Sequence, residues 1–171
     1  MKDIPTFAQR LAPDTLNRLE RAAEHRYVSG DVLWERKRRL AALYMYGFSA
    51  EISLTAAYFR CAGFSPNTEI DRDTRRRRMA QARLIEMPNG SRLMSGDPHP
   101  ILGWARFVEY VRLANATAQD RQRLREAINK AAIIYRYWRP ELRYKVADVT
   151  DEQLQQVQIA AKWLLGNHAQ L

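Results

Sequence analysis

Residues 46–59 read YGFSAEISLTAAYF, and they lie inside a longer segment with the periodicity of an α-helix. Apolar side chains recur there at spacings of three, four and seven residues, which places them on one helix face. The members of this stripe are Leu33, Leu40, Leu43, Tyr44, Gly47, Ala50, Leu54, Ala57, Tyr58 and Cys61. We therefore predict one long helix that starts after Ser29-Gly30-Asp31 and ends at Gly63, before Pro66.

Four further segments show the same period, and no segment reads as a convincing strand. Helices are predicted at residues 12–25 behind Asp14, after Pro100, after Thr117 up to Arg139, and after the capping box of Thr150 up to Gly166. The predicted fold class is all-α, a bundle of about five helices. The length of 171 residues fits a single domain over residues 1–171.

Residues 64–99 form a connection between the second and third predicted helices. This connection is longer than most helix–helix loops, so we expect it to be functional, partly helical or mobile. Between residues 72 and 92 it carries seven arginines against Asp73 and Glu86, a net charge of +5. A short basic helix capped by Asp73 or Thr74 is the predicted local structure.

Arginine dominates the charge of this chain. Of its 28 basic residues 23 are arginine, against 19 acidic residues, so the net charge is +9. Guanidinium groups suit bidentate contacts with phosphate, and this bias favours RNA or another polyanion as partner. Consecutive arginines point to every face of a helix, so one neighbour cannot pair with all of them. The predicted nucleic-acid-binding residues are Arg72, Arg75, Arg76, Arg77, Arg78 and Arg83. The alternative is a solvated run of charge.

Several classes of protein are excluded by what the sequence lacks. Cys61 is the only cysteine, which excludes an internal disulfide and a multi-cysteine metal site. The first residues contain no apolar signal segment, and no apolar run approaches the ~18 residues of a membrane span. We expect a cytoplasmic protein with no membrane association, no metal and no cofactor.

Three short motifs resemble the HEPN-type proteins, a family of small all-α domains. Gly47-Phe48-Ser49-Ala50-Glu51 is similar to part of the long helix of that family, although Thr55 stands where many relatives carry Lys. Residues 98–105 (PHPILGWA) and 138–144 (WRPELRY) resemble the start and the end of later helices in uncharacterised members. The resemblance spans roughly residues 30–165. It implies a homodimer with a role in toxin–antitoxin or defence systems, and a nucleotidyltransferase or antitoxin as partner.

The resemblance also implies a catalytic alternative. Catalytic members are metal-independent ribonucleases with an Arg-x(4–6)-His motif at a dimer interface, and Arg92 and His99 match that spacing. His99 precedes a predicted helix, whose N-terminal dipole disfavours the imidazolium ion. A neutral imidazole can accept the proton of an RNA 2′-hydroxyl, while Arg92 stabilises the charge that develops on phosphorus. Alternatively, His99 only caps the helix and Arg92 is one surface arginine among many.

The helical bundle itself offers further candidates. Gly47 and Ala50 leave room for another helix, so we expect a helix-mediated homodimer. Glu51 lies beside the apolar stripe, where it needs an Arg or Tyr partner. The remaining ligand or interface candidates are Arg139, Arg143 and Tyr144, near aromatic residues that either edge the core or stack bases. Three functions stay open: a module that binds RNA, nucleotide or another polyanion, a ribonuclease, and a structural protein–protein interaction module.

Overall fold

A computed structural model describes residues 14–97, 99–139, 141–142 and 149–171. These residues contain the helices α1 (Leu16–Glu35), α2 (Arg39–Cys61), α3 (Arg72–Leu84), α4 (Ile101–Arg112), α5 (Ala118–Tyr137) and α6 (Asp151–Asn167). Two short strands, β1 (Asp14–Thr15) and β2 (Glu69–Ile70), pair antiparallel. The all-α prediction is confirmed: five helices match the predicted bundle, and α3 is the basic helix of the connection. In the described part of the chain no helix is long and apolar enough to cross a membrane.

The boundary between the first two helices was predicted at the wrong place. α1 continues through Gly30 to Glu35, and the chain turns at residues 36–38, where Lys37 has a positive φ of 59°. Gly30 is helical, and α2 passes close to it. A Cβ atom at Gly30 would lie 2.5 Å from Cε1 of Tyr46. This glycine therefore permits close helix packing and does not end the helix.

Helix caps were predicted well for the later helices and less well for the earlier ones. The side chain of Thr117 caps α5, and that of Thr150 caps α6, each in a reciprocal capping box as predicted. The cap of α3 is Asp71, which accepts a hydrogen bond from the Thr74 amide at 2.6 Å, and not Asp73 or Thr74. α1 is capped by Thr15, one residue after the predicted Asp14.

α2 lies at the centre of the fold, packed against α1, α4 and α6. Its Gly47 and Ala50 were predicted to meet a second copy of the chain. Ala50 is fully buried, and a Cβ at Gly47 would lie 2.2 Å from the ring of Trp138. The space above Gly47 is thus filled by Trp138 of the same chain. Neither Gly47 nor Ala50 is available as a dimer face.

Candidate functional site

A cavity of about 320 Å³ separates α2 from α3. One part of its wall is apolar and consists of Leu19, Phe48, Ile52, Met79 and Trp104. The polar part consists of Glu51, Thr55, Arg72, Arg75, Arg76 and His99. A concave site with an apolar wall and a few convergent polar groups is typical of small-ligand binding.

Two helix faces with the same spacing form most of this wall. Residues 48, 51, 52 and 55 of α2 and residues 72, 75, 76 and 79 of α3 each follow the pattern i, i+3, i+4, i+7. Such residues share one face of a helix. α2 therefore uses its core stripe to hold the bundle together, and an adjacent stripe to line the cavity.

Glu51 and His99 are in direct contact in this cavity. Oε2 of Glu51 lies 2.9 Å from Nδ1 of His99, and their side chains are 12% and 34% exposed. The hydrogen bond to Glu51 raises the pKa of His99 above its ordinary value, although burial opposes this, and the charges of Asp97 and Glu141 reinforce it. The direction of this shift is opposite to the one expected from the helix dipole, because the carboxylate of Glu51 is in direct contact with the ring. The partner of Glu51 is His99, and not the expected Arg or Tyr.

The segment that carries His99 is tied to α3 by Arg83. Its guanidinium donates hydrogen bonds to the carbonyls of Ser95, Gly96 and Asp97 at 2.9, 3.4 and 3.2 Å. The Asp97 carboxylate in turn accepts a hydrogen bond from the His99 amide at 2.9 Å. Arg83 was predicted to bind phosphate, and in this structure its Nε and Nη2 donate to backbone carbonyls.

The other predicted phosphate-binding arginines have different surroundings. Arg72 and Arg76 are exposed and line the cavity. Arg75 also lines it and pairs with Asp14 at 2.9 Å.

The last two arginines of the run point elsewhere. Arg77 donates a hydrogen bond to Thr74 at 3.3 Å. The guanidinium of Arg78 lies 6.0 Å from the ring centre of Phe64. Neither is among the described residues that line the cavity.

Arg92 does not share the surroundings of His99. It donates a hydrogen bond to the Leu84 carbonyl at 3.0 Å and lies 3.7 Å from the Glu86 carboxylate. It is absent from the described lining of the cavity, and its hydrogen bond and ion pair are with residues other than His99. The structure brings Glu51 to His99 but does not bring Arg92 there.

Arg139 belongs to the edge of the core. Its guanidinium lies 3.5 Å from the ring centre of Tyr135 and donates hydrogen bonds to the carbonyls of Tyr135 and Trp138. These contacts agree with the packing interpretation of the Arg-aromatic cluster. Arg143 and Tyr144 lie outside the described residues.

Sequence reasoning missed how the site is assembled. Glu51 was singled out, yet nothing local in the chain identifies His99, 48 residues away, as its partner. The spacing i, i+3, i+4, i+7 that α2 and α3 share is visible in the sequence. It places Arg72, Arg75 and Arg76 on one face of α3.

Comparison of this chain with protein-family models, with curated proteins and with solved structures gives no match. Within the described residues, no group of three or more His, Cys, Asp or Glu side chains is placed to hold a metal ion.

Proposed function

We propose that this protein is a HEPN-like helical module that binds RNA or nucleotide phosphates in the cavity between α2 and α3. One observation carries the proposal: Arg72, Arg75 and Arg76 share this cavity with the Glu51–His99 pair. Guanidinium groups present several donors in the geometry that phosphate oxygens accept. The same proposal includes a homodimer, a nucleotidyltransferase or antitoxin as partner, and a role in toxin–antitoxin or defence systems.

Two of the three cavity arginines, Arg72 and Arg76, are available to a ligand, whereas Arg75 pairs with Asp14 at 2.9 Å. Arg72 forms no ion pair with another described residue, and the closest carboxylate oxygen to Arg76 is 4.0 Å away, on Asp73. The side chains of Arg76 and Asp73 are 62% and 78% exposed. A pair this exposed contributes about 0–1 kcal/mol, so replacing it by a phosphate contact costs little.

The apolar wall of the cavity favours a ligand that carries an apolar or aromatic group as well as a negative charge. Phe48, Ile52 and Met79 are partly exposed in the same cavity as the arginines, where they offer contact to a base or the face of a sugar. Stacking of a base on an aromatic ring contributes about 1–3 kcal/mol and tolerates any sequence. The combination favours a nucleotide unit over a simple inorganic anion.

The test compares two variants of α3 in binding to single-stranded RNA across a salt series. Arg72→Ala/Arg76→Ala removes two cavity arginines, and Arg77→Ala removes an arginine of the same helix outside the cavity. We expect the double variant to bind more weakly and to flatten the slope of log K against log salt by about 1.4, at about 0.7 per lost contact. The Arg77 variant should resemble the native protein. Equal slopes in all three proteins would reject the proposal.

A second candidate is a metal-independent endoribonuclease, as the alternative to simple binding. The observation that favours it is the Glu51–His99 contact, because a carboxylate at Nδ1 orients an imidazole for proton transfer at Nε2. In this reaction the 2′-oxygen attacks phosphorus and the bond from phosphorus to the 5′-oxygen breaks. His99 takes the 2′-hydroxyl proton and passes a proton to the departing 5′-oxygen.

Variants can test which arginine stabilises the charge that develops on phosphorus in that reaction. The family motif assigns it to Arg92, whereas the arginines that share a cavity with His99 are Arg72, Arg75 and Arg76. His99→Ala should abolish cleavage and leave RNA binding intact. Arg92→Ala should retain cleavage if the cavity arginines act, and lose it if the motif assignment is right. Native protein that binds RNA without cleaving it would reject the ribonuclease.

A further inference from the structure

We infer that the cavity selects a terminal phosphate monoester, carried by a nucleoside or by the end of a single strand, over the internal phosphodiesters of RNA. The inference rests on the proposed function and deepens it, since it names the form of phosphate that the site takes. Three features carry it: the number of cations at the cavity, the size of the cavity, and the position of Glu51 in its wall.

The first feature is the excess of positive charge. Arg72 and Arg76 lie one turn apart on α3, and Arg75 lies beside them on the same helix face. A phosphate monoester carries about −1.5 to −2 charge at pH 7 and three oxygens that accept hydrogen bonds. A phosphodiester carries one negative charge and two such oxygens. Arg75 pairs with Asp14, so Arg72 and Arg76 are the cations available to a ligand. Two guanidinium groups gain more from the monoester than from the diester.

The second feature is the size of the cavity. Its volume of about 320 Å³ lies at the lower end of the ~300–1,000 Å³ range of ligand sites. This space suits one nucleoside-sized group and excludes a base pair. An internal nucleotide must also let the chain leave on two sides, whereas a terminal nucleotide needs only one exit from the wall.

The third feature is the carboxylate of Glu51. Within the described residues its side chain makes one hydrogen bond, in which Oε2 accepts from Nδ1 of His99, so Oε1 remains an acceptor for a ligand donor. A carboxylate repels phosphate and attracts hydroxyl or amino groups. The phosphate is thus expected at the α3 side of the cavity, and the sugar or base at the α2 side.

The experiment uses the full chain and one short single-stranded RNA sequence in three forms: with a 5′-phosphate, with a 3′-phosphate, and with hydroxyl groups at both ends. Binding of adenosine and of adenosine 5′-monophosphate distinguishes a free nucleotide from a strand end. We expect a phosphate on at least one end, or on adenosine, to raise affinity about tenfold or more, the contribution of one charge-assisted hydrogen bond.

The α3 variants test whether the cavity arginines cause the preference for a terminal phosphate. In Arg72→Ala/Arg76→Ala the ratio of affinities with and without the end phosphate should fall close to one, while Arg77→Ala should keep the native ratio. Circular dichroism checks that each variant is folded. Native protein that binds all three RNA forms equally, and does not distinguish adenosine from its monophosphate, overturns this inference but not the proposed function. Absence of binding to any RNA or nucleotide overturns both.

Discussion

Glu51, in the middle of α2, and His99, just before α4, are joined by a contact of 2.9 Å between Oε2 and Nδ1. The two residues are 48 positions apart, and both line the cavity that contains three arginines of α3. A largely buried carboxylate is costly unless it is paired, and His99 supplies that partner. The contact therefore links the stability of the fold to the protonation of His99 in the cavity.

The first prediction concerns the pKa of His99. Glu51→Gln keeps the shape of the side chain and removes its charge, so the pKa of His99 should fall toward its ordinary value of about 6.5. Nuclear magnetic resonance of the histidine ring protons across a pH series measures this. His25 and His168, which do not contact Glu51, serve as controls in the same spectra. Identical titration of His99 in both proteins would contradict the contact.

The second prediction concerns stability as a function of pH. The pKa of His99 is raised in the folded protein, so protonation of His99 stabilises the fold. This contribution is fully present below the unfolded pKa of about 6.5 and is lost as pH rises through the folded pKa. Denaturant unfolding of the native protein and of Glu51→Gln should therefore show a stability difference that shrinks over this window. A difference that is constant with pH would argue against the linkage.

The third prediction concerns Arg83 as a positioning residue. Arg83→Ala removes the three hydrogen bonds that hold residues 95–97, at a cost of about 1 kcal/mol because the contacts are mostly exposed. With its support lost, His99 should spend less time against Glu51, and its pKa should fall.

Two further variants separate positioning by Arg83 from a general loss of stability. Arg83→Lys, which keeps a donor, should restore part of the shift, and Arg77→Ala on the same helix should not change it. If Arg83→Ala lowered stability without changing the titration of His99, Arg83 would be structural only.

The fourth prediction concerns the contact between α2 and Trp138. A Cβ at Gly47 would meet the Trp138 ring at 2.2 Å, so Gly47→Ala should destabilise the fold by about 1–3 kcal/mol through overpacking. Gly166→Ala is the matched control, since Gly166 lies in α6 and nothing is within 4 Å of its Cβ position. That variant should be neutral or stabilising by up to about 1 kcal/mol. Thermal unfolding compares the two, and equal melting temperatures would contradict this packing.

The elements that the sequence predicted correctly depend on local interactions. The capping boxes of Thr117 and Thr150 join residues three positions apart, and the apolar stripe of α2 joins residues one or two turns apart. Such interactions are present in any conformation that is helical there, so the chain encodes them locally. The all-α class and the short basic helix follow from the same local patterns.

Tertiary structure decided what the local patterns leave open. Gly30 was predicted as a break between helices but lies inside α1, where Tyr46 packs on it. Gly47 was predicted as part of an interface but is covered by Trp138. Likewise, consecutive arginines look equivalent until the packing of α3 turns Arg75 and Arg76 toward the cavity and leaves Arg77 outside it. Each outcome depends on a neighbour distant in the chain. Local residue spacing decides which residues share a helix face, whereas close packing between helices decides what that face meets.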